Sequence, residues 1–291
     1  MNQLFGTGVA LATPFDKDLN IDWKGLENLL NHTSGNGVDY FVVMGTTGES
    51  VTLAIEEQVE VLEFVKNHNS SNLPVVLGCG GNNTKDVIQK LSQFDLNGVD
   101  AILSVTPYYN KPPQEGMYQH FLAIAEASSL PIILYNVPGR TGINLSVKTT
   151  LRLAEHKNII GIKDATGDVK QAMDIAKGKP EDFMLISGDD MLTNAIVAIG
   201  GCGAISVISN AFPSIFTDMV NNALNFNYEE ANRFTKQLMD IDPLLYREGN
   251  PVGIKHTLKV MNICENHVRL PLVAASSALQ REIEKTISDI M

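Results

Sequence analysis

Lys163 ends the apolar run Asn158-Ile159-Ile160-Gly161-Ile162-Lys163-Asp164. A short apolar run between polar residues fits a strand buried on both faces, the kind found in helix-covered parallel sheets. At the rim of such a core an ammonium is partly desolvated, which favours the neutral amine. A neutral lysine amine attacks carbonyls and can form a Schiff base. The plainer reading is a strand-end lysine with a packed stem and a solvated head, and the run by itself leaves both open. Other residues could complete a carbonyl chemistry. Tyr135 and Tyr109 are phenols and Thr46 and Thr47 are hydroxyls, groups that can move protons; Arg140 is a guanidinium suited to a carboxylate. Each also has a plain reading: Tyr135 as a core aromatic, Tyr108-Tyr109 as loop aromatics at a subunit contact, Arg140 as a surface residue in a turn. Gly45-Thr46-Thr47-Gly48-Glu49 reads as a turn with a helix cap, or as backbone N–H groups that bind a carboxylate.

These residues must be positioned by elements, and the chain bounds the choice. Its 291 residues suffice for one α/β barrel or two ordinary domains. An apolar content of 44% is typical of a globular protein. The net charge of −11 argues against nucleic-acid binding by bulk electrostatics, though not against a small anionic substrate. No apolar stretch is long enough for a bilayer. Residues 1–6 lack the basic-then-apolar order of a signal peptide. Cys79, Cys202 and Cys264 are widely spaced and odd in number, which fits a reducing cytoplasm and offers no zinc motif. The six histidines show no metal-binding spacing, so no metal is expected.

Apolar runs and helical periods alternate along the chain. Strands are predicted at 8–13, 38–44, 74–77, 101–105, 131–135, 159–163, 183–186 and 203–207. Helices are predicted at 22–34, 55–67, 84–96, 114–127, 146–155, 168–176, 190–198 and 213–225. Eight βα units over 1–225 match a (β/α)8 TIM barrel. The alternative, a doubly wound sheet, calls for a glycine-rich turn after the first strand; here that turn is Thr13-Pro14-Phe15-Asp16. Residues 226–291 read as a C-terminal three-helix segment, at 228–241, 251–261 and 273–290, packed on the barrel or on a partner chain. In such a barrel the active site gathers at the carboxyl ends of the strands. There the sequence places Thr46, Thr47, Tyr108, Tyr109, Tyr135, Arg140, Lys163, Gly188 and Ile205, a coherent set with one nucleophile and no carboxylate pair.

The motifs Gly45-Thr46-Thr47-Gly48-Glu49, Tyr135-Asn136-Val137-Pro138-Gly139-Arg140-Thr141-Gly142 and Gly161-Ile162-Lys163-Asp164 together resemble the dihydrodipicolinate synthase family. The resemblance covers nearly the whole chain. It implies a lyase that condenses pyruvate with L-aspartate 4-semialdehyde to give 4-hydroxy-tetrahydrodipicolinate, in lysine and diaminopimelate biosynthesis. It further implies that Lys163 forms an imine with pyruvate and Tyr135 is the acid and base. Thr46 links Tyr135 to Tyr109 of a neighbouring subunit, and Thr47, Gly188 and Ile205 seat pyruvate. Arg140 takes the semialdehyde carboxylate and separates this reading from the keto-sugar-acid lyases of the same superfamily. No cofactor is implied, because the imine is the electron sink. A homodimer is the implied minimum, and a homotetramer is common in the family. One departure stands out: lysine-inhibited members carry two histidines where this chain has Ile55 and Gln58, although Tyr108, Asn82 and an acidic Asp86 match. Lysine is therefore expected to inhibit weakly or not at all. A catalytically idle barrel that serves as a scaffold is the reading from a different class.

Overall fold

The computed structural model describes residues 4–291. Among them eight parallel strands close into a barrel in sequence order. These are β1 (Gly6–Ala10), β2 (Tyr40–Val43), β3 (Val75–Gly78), β4 (Ala101–Val105), β5 (Ile132–Asn136), β6 (Ile159–Asp164), β7 (Met184–Ser187) and β8 (Gly203–Ser206). The expected barrel is thus present, with strand ends shifted by a few residues at most.

The helices follow the amphipathic pattern of the sequence. They are α1 (Trp23–Ser34), α2 (Ile55–His68), α3 (Thr84–Leu91), α4 (Gln114–Ala127), the single turn α5 (Pro138–Thr141), α6 (Val147–Ala154), α7 (Val169–Gly178), α8 (Thr193–Ala198) and α9 (Pro213–Leu224). Side chains of Asp22, Ser146 and Asp168 accept from Gly25, Thr149 and Gln171 backbone N–H groups and so start α1, α6 and α7. Helix α3 is shorter than the predicted 84–96, because Gln93 N–H turns back to the Lys90 carbonyl and tightens its end.

Strand pleat sorts the core into two layers. One set, including Val9, Phe41, Val43, Leu77, Ile102, Leu134, Ile162 and Leu185, packs outward against the helices. The other, including Ala10, Tyr40, Val42, Val76, Leu103, Ile133, Tyr135, Met184 and Ile205, fills the barrel interior. A register shift between β5 and β6 interrupts the alternation. Ile132 pairs with Ile159, but Ile133 pairs with Gly161, which leaves Ile160 as an extra residue. Beyond it Ile162 faces the helices and Lys163 pairs with inward-facing Tyr135.

The C-terminal segment holds four helices among the described residues rather than the three expected: α10 (Tyr228–Leu238), α11 (Asp242–Tyr246), α12 (Val252–Val260) and α13 (Ser277–Ile290). Pro243 lies in the first turn of α11, where its missing N–H has no partner to lose, and a new helix starts there. Buried residues of this segment, such as Leu245, Ile254, Leu258 and Ile283, belong to the same hydrophobic cluster as the barrel's outer layer.

The seam between β1 and β8 is tight. At Gly203 φ is +138°, and a β-carbon would lie 1.9 Å from the Gly6 carbonyl oxygen. Gly203→Ala is expected to lower unfolding free energy by about 3 kcal/mol, from backbone strain plus overpacking. Urea denaturation measures this; an unchanged midpoint would show that the seam yields without loss.

Candidate active site

Lys163 is buried with only 6% of its surface exposed, and its Nζ lies 4.4 Å from the centre of the Tyr135 ring. The two are register partners on adjacent strands, so the pleat brings them together. Gly188, just beyond β7, leaves space for the lysine stem: a β-carbon there would sit 3.0 Å from Lys163 Cε and 2.7 Å from Ala165 Cβ. The Gly188 N–H donates to the Asp164 carbonyl at 2.8 Å, which holds that approach.

Around this lysine lies a cavity of about 310 Å³ at the carboxyl ends of the strands. Its wall contains Thr46, Thr47, Tyr135, Arg140, Lys163, Gly188 and Ile205. Every strand-end residue singled out in the sequence except Tyr108 and Tyr109 therefore borders this one cavity. A second cavity of about 490 Å³ adjoins it, sharing Thr46, Tyr135 and Arg140 and continuing to Ser50, Val51, Gln58 and Tyr108.

Arg140 is placed by α5. Pro138 opens that turn and Gly142, at φ +72°, closes it with its N–H on the Pro138 carbonyl. Asn136 anchors the approach, accepting from the Leu145 N–H at 3.0 Å and donating to Asn144 Oδ1 at 2.7 Å. The Arg140 guanidinium forms no ion pair among the described residues. It borders the cavity with its donor fork free, an arrangement that fits a carboxylate bidentately.

Thr46 and Thr47 sit in the turn after β2. The turn is pinned from several sides. Gly48 N–H donates to the Gly45 carbonyl at 3.1 Å, and Thr13 Oγ1 donates to the Gly48 carbonyl at 2.8 Å. Asn250 Nδ2 donates to Thr47 Oγ1 at 3.1 Å.

Tyr109 does not line its own chain's cavity. It is 89% exposed, at φ +71° in the loop after β4. That loop is braced: Asn82 Nδ2 donates to the Tyr108 carbonyl at 3.1 Å, and Asn110 Nδ2 donates to the Asn82 carbonyl at 2.9 Å. The result is a bare phenol held outward on a fixed turn.

The sequence reading missed the acidic wall. Asp189, Asp190, Asp242, Tyr246 and Asn250 all border the Lys163 cavity, and the last three come from the C-terminal segment. Asp190 accepts from the Val207 and Ile208 N–H groups at 3.0 and 2.9 Å. Burial pushes its carboxyl up to about 6, against those hydrogen bonds and the charge of Lys163. The Asn250 Oδ1 is buried without a hydrogen-bond partner among the described residues. Asp189 and Asp190 follow the end of β7 and could have been read from that place, whereas Asp242, Tyr246 and Asn250 reach the rim only through packing of the C-terminal segment. Gln58 is held in place by its own hydrogen bonds, with Nε2 donating to the Ser50 and Leu53 carbonyls at 2.9 and 3.0 Å. Among the described residues no cluster of three or more His, Cys, Asp and Glu is placed to hold a metal ion.

A family model described as the dihydrodipicolinate synthetase family matches residues 3–290. The chain is 49% identical over 285 residues to a 4-hydroxy-tetrahydrodipicolinate synthase of Cytophaga hutchinsonii, covering 98% of this chain and 96% of that one. It is 47% identical to the enzyme of the same name from Flavobacterium psychrophilum, over 98% and 97% of the two chains. A solved structure of dihydrodipicolinate synthase from Acinetobacter baumannii, complexed with pyruvate, superposes with a TM-score of 0.96 at 38% identity, covering 99% of each chain.

Asp242 makes stability pH-dependent in a defined sense. Burial, then the charges of Asp190 and Asp189, push its carboxyl up from 3.8 to about 7. The folded chain thus keeps a proton that the unfolded chain loses, so stability declines as pH rises from about 4 to about 7 and stays reduced above that. Asp242→Asn removes the penalty. In urea unfolding the variant is expected to match wild type near pH 4 and to exceed it near pH 8. Equal midpoints at both would show that the carboxyl titrates normally.

Proposed function

The chain belongs to the dihydrodipicolinate synthetase family, and from that premise we propose that it condenses pyruvate with L-aspartate 4-semialdehyde to give 4-hydroxy-tetrahydrodipicolinate. It is a lyase serving lysine and diaminopimelate biosynthesis. The observation that carries the reading is the inward-facing Lys163 beside Tyr135, in a cavity that Arg140 also borders.

Lys163 Nζ attacks the pyruvate ketone carbon and water departs, leaving an imine. The imine draws electrons from the methyl group. A methyl proton leaves, and the enamine carbon adds to the aldehyde of the second substrate. The amino group of that substrate then attacks the imine carbon, closes the ring and frees Lys163. Tyr135 is the acid and base for these transfers. Its position on β5, paired with the lysine across the ladder, supports that role. Thr46 passes the proton on to Tyr109 of the partner subunit. The exposure of Tyr109 on a braced loop supports this crossing and, with it, a homodimer at least. A homotetramer is compatible with the same contact. Thr47, Gly188 and Ile205 seat pyruvate, and Arg140 binds the semialdehyde carboxylate through paired N–H donors.

No described helix is long and apolar enough to cross a membrane. The proposed compartment is the cytoplasm, a placement that the free thiols of Cys79, Cys202 and Cys264 support.

Lys163→Ala should abolish turnover and lose the pyruvate adduct that borohydride traps on wild type, with the circular dichroism spectrum unchanged. Arg140→Ala should keep the adduct while kcat/KM for the semialdehyde falls about fiftyfold, the loss of a charge-assisted pair worth about 2–3 kcal/mol. An adduct on Lys163→Ala, or full semialdehyde turnover by Arg140→Ala, would overturn these assignments. Lysine titrated into the purified enzyme should leave the rate nearly unchanged. The apolar Ile55 accepts no hydrogen bond from an amino-acid effector. Strong inhibition at physiological lysine would contradict that.

A further inference from the structure

Glu49 ends the turn that carries Thr46 and Thr47, and nothing in the condensation uses it. Its backbone is left-handed, at φ +50°, with its N–H on the Thr46 carbonyl at 3.1 Å. That conformation is uncommon for a residue with a side chain. Lys255 of α12 donates from Nζ to Glu49 Oε1. Both side chains are almost wholly buried, at 0% exposure for the lysine and 2% for the glutamate. Lys255 Nζ also donates to the His267 carbonyl at 2.8 Å and lies 4.0 Å from the Phe15 ring centre. Glu49 Oε2 accepts from the Arg269 N–H at 3.0 Å.

A buried ion pair is a poor means of stabilising a fold. Desolvation of the two charges offsets most of their attraction, and an apolar pair of similar volume is often as stable or more so. Its particular property is geometric, because charge-assisted hydrogen bonds fix distance and direction where apolar contacts tolerate sliding. Here that direction is imposed on the turn that presents two hydroxyls to the Lys163 cavity.

We propose that Glu49 and Lys255 are positioning residues for the condensation: their pair locks the 46–49 turn to the C-terminal helices and thereby fixes the Thr46 and Thr47 hydroxyls opposite Lys163. The proposal rests on the roles given to those threonines under the proposed function. Wild-type turnover tests that reading, whereas the ratio of variant to wild type tests this one.

The decisive protein is the full chain carrying Glu49→Leu with Lys255→Met, which removes both charges and keeps the volume. A merely structural pair would shift the thermal midpoint and leave kcat per folded molecule intact. A positioning pair does the reverse. The double variant is expected to keep its thermal midpoint and its borohydride-trapped pyruvate adduct, while kcat falls about a hundredfold, the scale of a misplacement near one ångström. Glu49→Asp keeps both charges but is one methylene too short to reach Lys255 and Arg269 from the same backbone, so its kcat should fall as well. A double variant with wild-type kcat, a double variant that no longer folds, or Glu49→Asp with full activity would each overturn the assignment.

Discussion

The direction of one side chain at the end of β6 decides which groups meet in the cavity at the barrel's carboxyl end. Strand residues alternate between barrel interior and helix layer, so a shift of one position turns every following side chain to the other face. From Ile159, which faces the helices, strict alternation would send Lys163 outward. The extra residue at Ile160 resets the count. It places Lys163 inward beside Tyr135, in the wall of the cavity. Gly161 suits the same spot, since a β-carbon there would lie 2.8 Å from Met184 Cβ. Bulges are used in this way near active sites to re-aim a side chain.

Once the lysine points inward, the remaining groups are a matter of rim architecture. Turns after three of the strands deliver groups to the same opening: hydroxyls after β2, a guanidinium on the α5 turn after β5, a small residue after β7. The cavity wall carries both basic and acidic side chains. Lys163 and Arg140 border the cavity together with Asp189, Asp190 and Asp242, and burial makes the last two carboxyls hold their protons to higher pH than usual.

The C-terminal segment packs as part of this rim. Asn250 reaches Thr47, Lys255 reaches Glu49, and Arg269 reaches Glu57 of α2 through paired contacts at 2.6 and 2.7 Å. The active-site turn is thus tied to residues some two hundred positions away in the chain. Removing one member of the Glu49–Lys255 pair leaves a buried charge uncompensated, a loss of about 3–5 kcal/mol. The C-terminal helices are thereby joined to the turn that holds Thr46 and Thr47.

Much of this was legible in the residues alone. Runs of β-branched and apolar residues, spaced by amphipathic helices, determined eight βα units, because both periods are local. The motifs around Thr46, Tyr135, Arg140 and Lys163 were legible for the same reason, each lying within a few residues of a strand end. The tertiary structure decided what depends on distant contacts. It set the bulge that aims Lys163, since only pairing with β5 reveals an unpaired residue. It broke the C-terminal segment into four helices, and it brought Asp242, Tyr246 and Asn250 into the cavity wall. It also joined Glu49 to Lys255 across 206 positions. Local sequence encodes period and propensity, whereas a buried charge pair or an orphaned amide exists only once the closed barrel and its C-terminal helices are packed together.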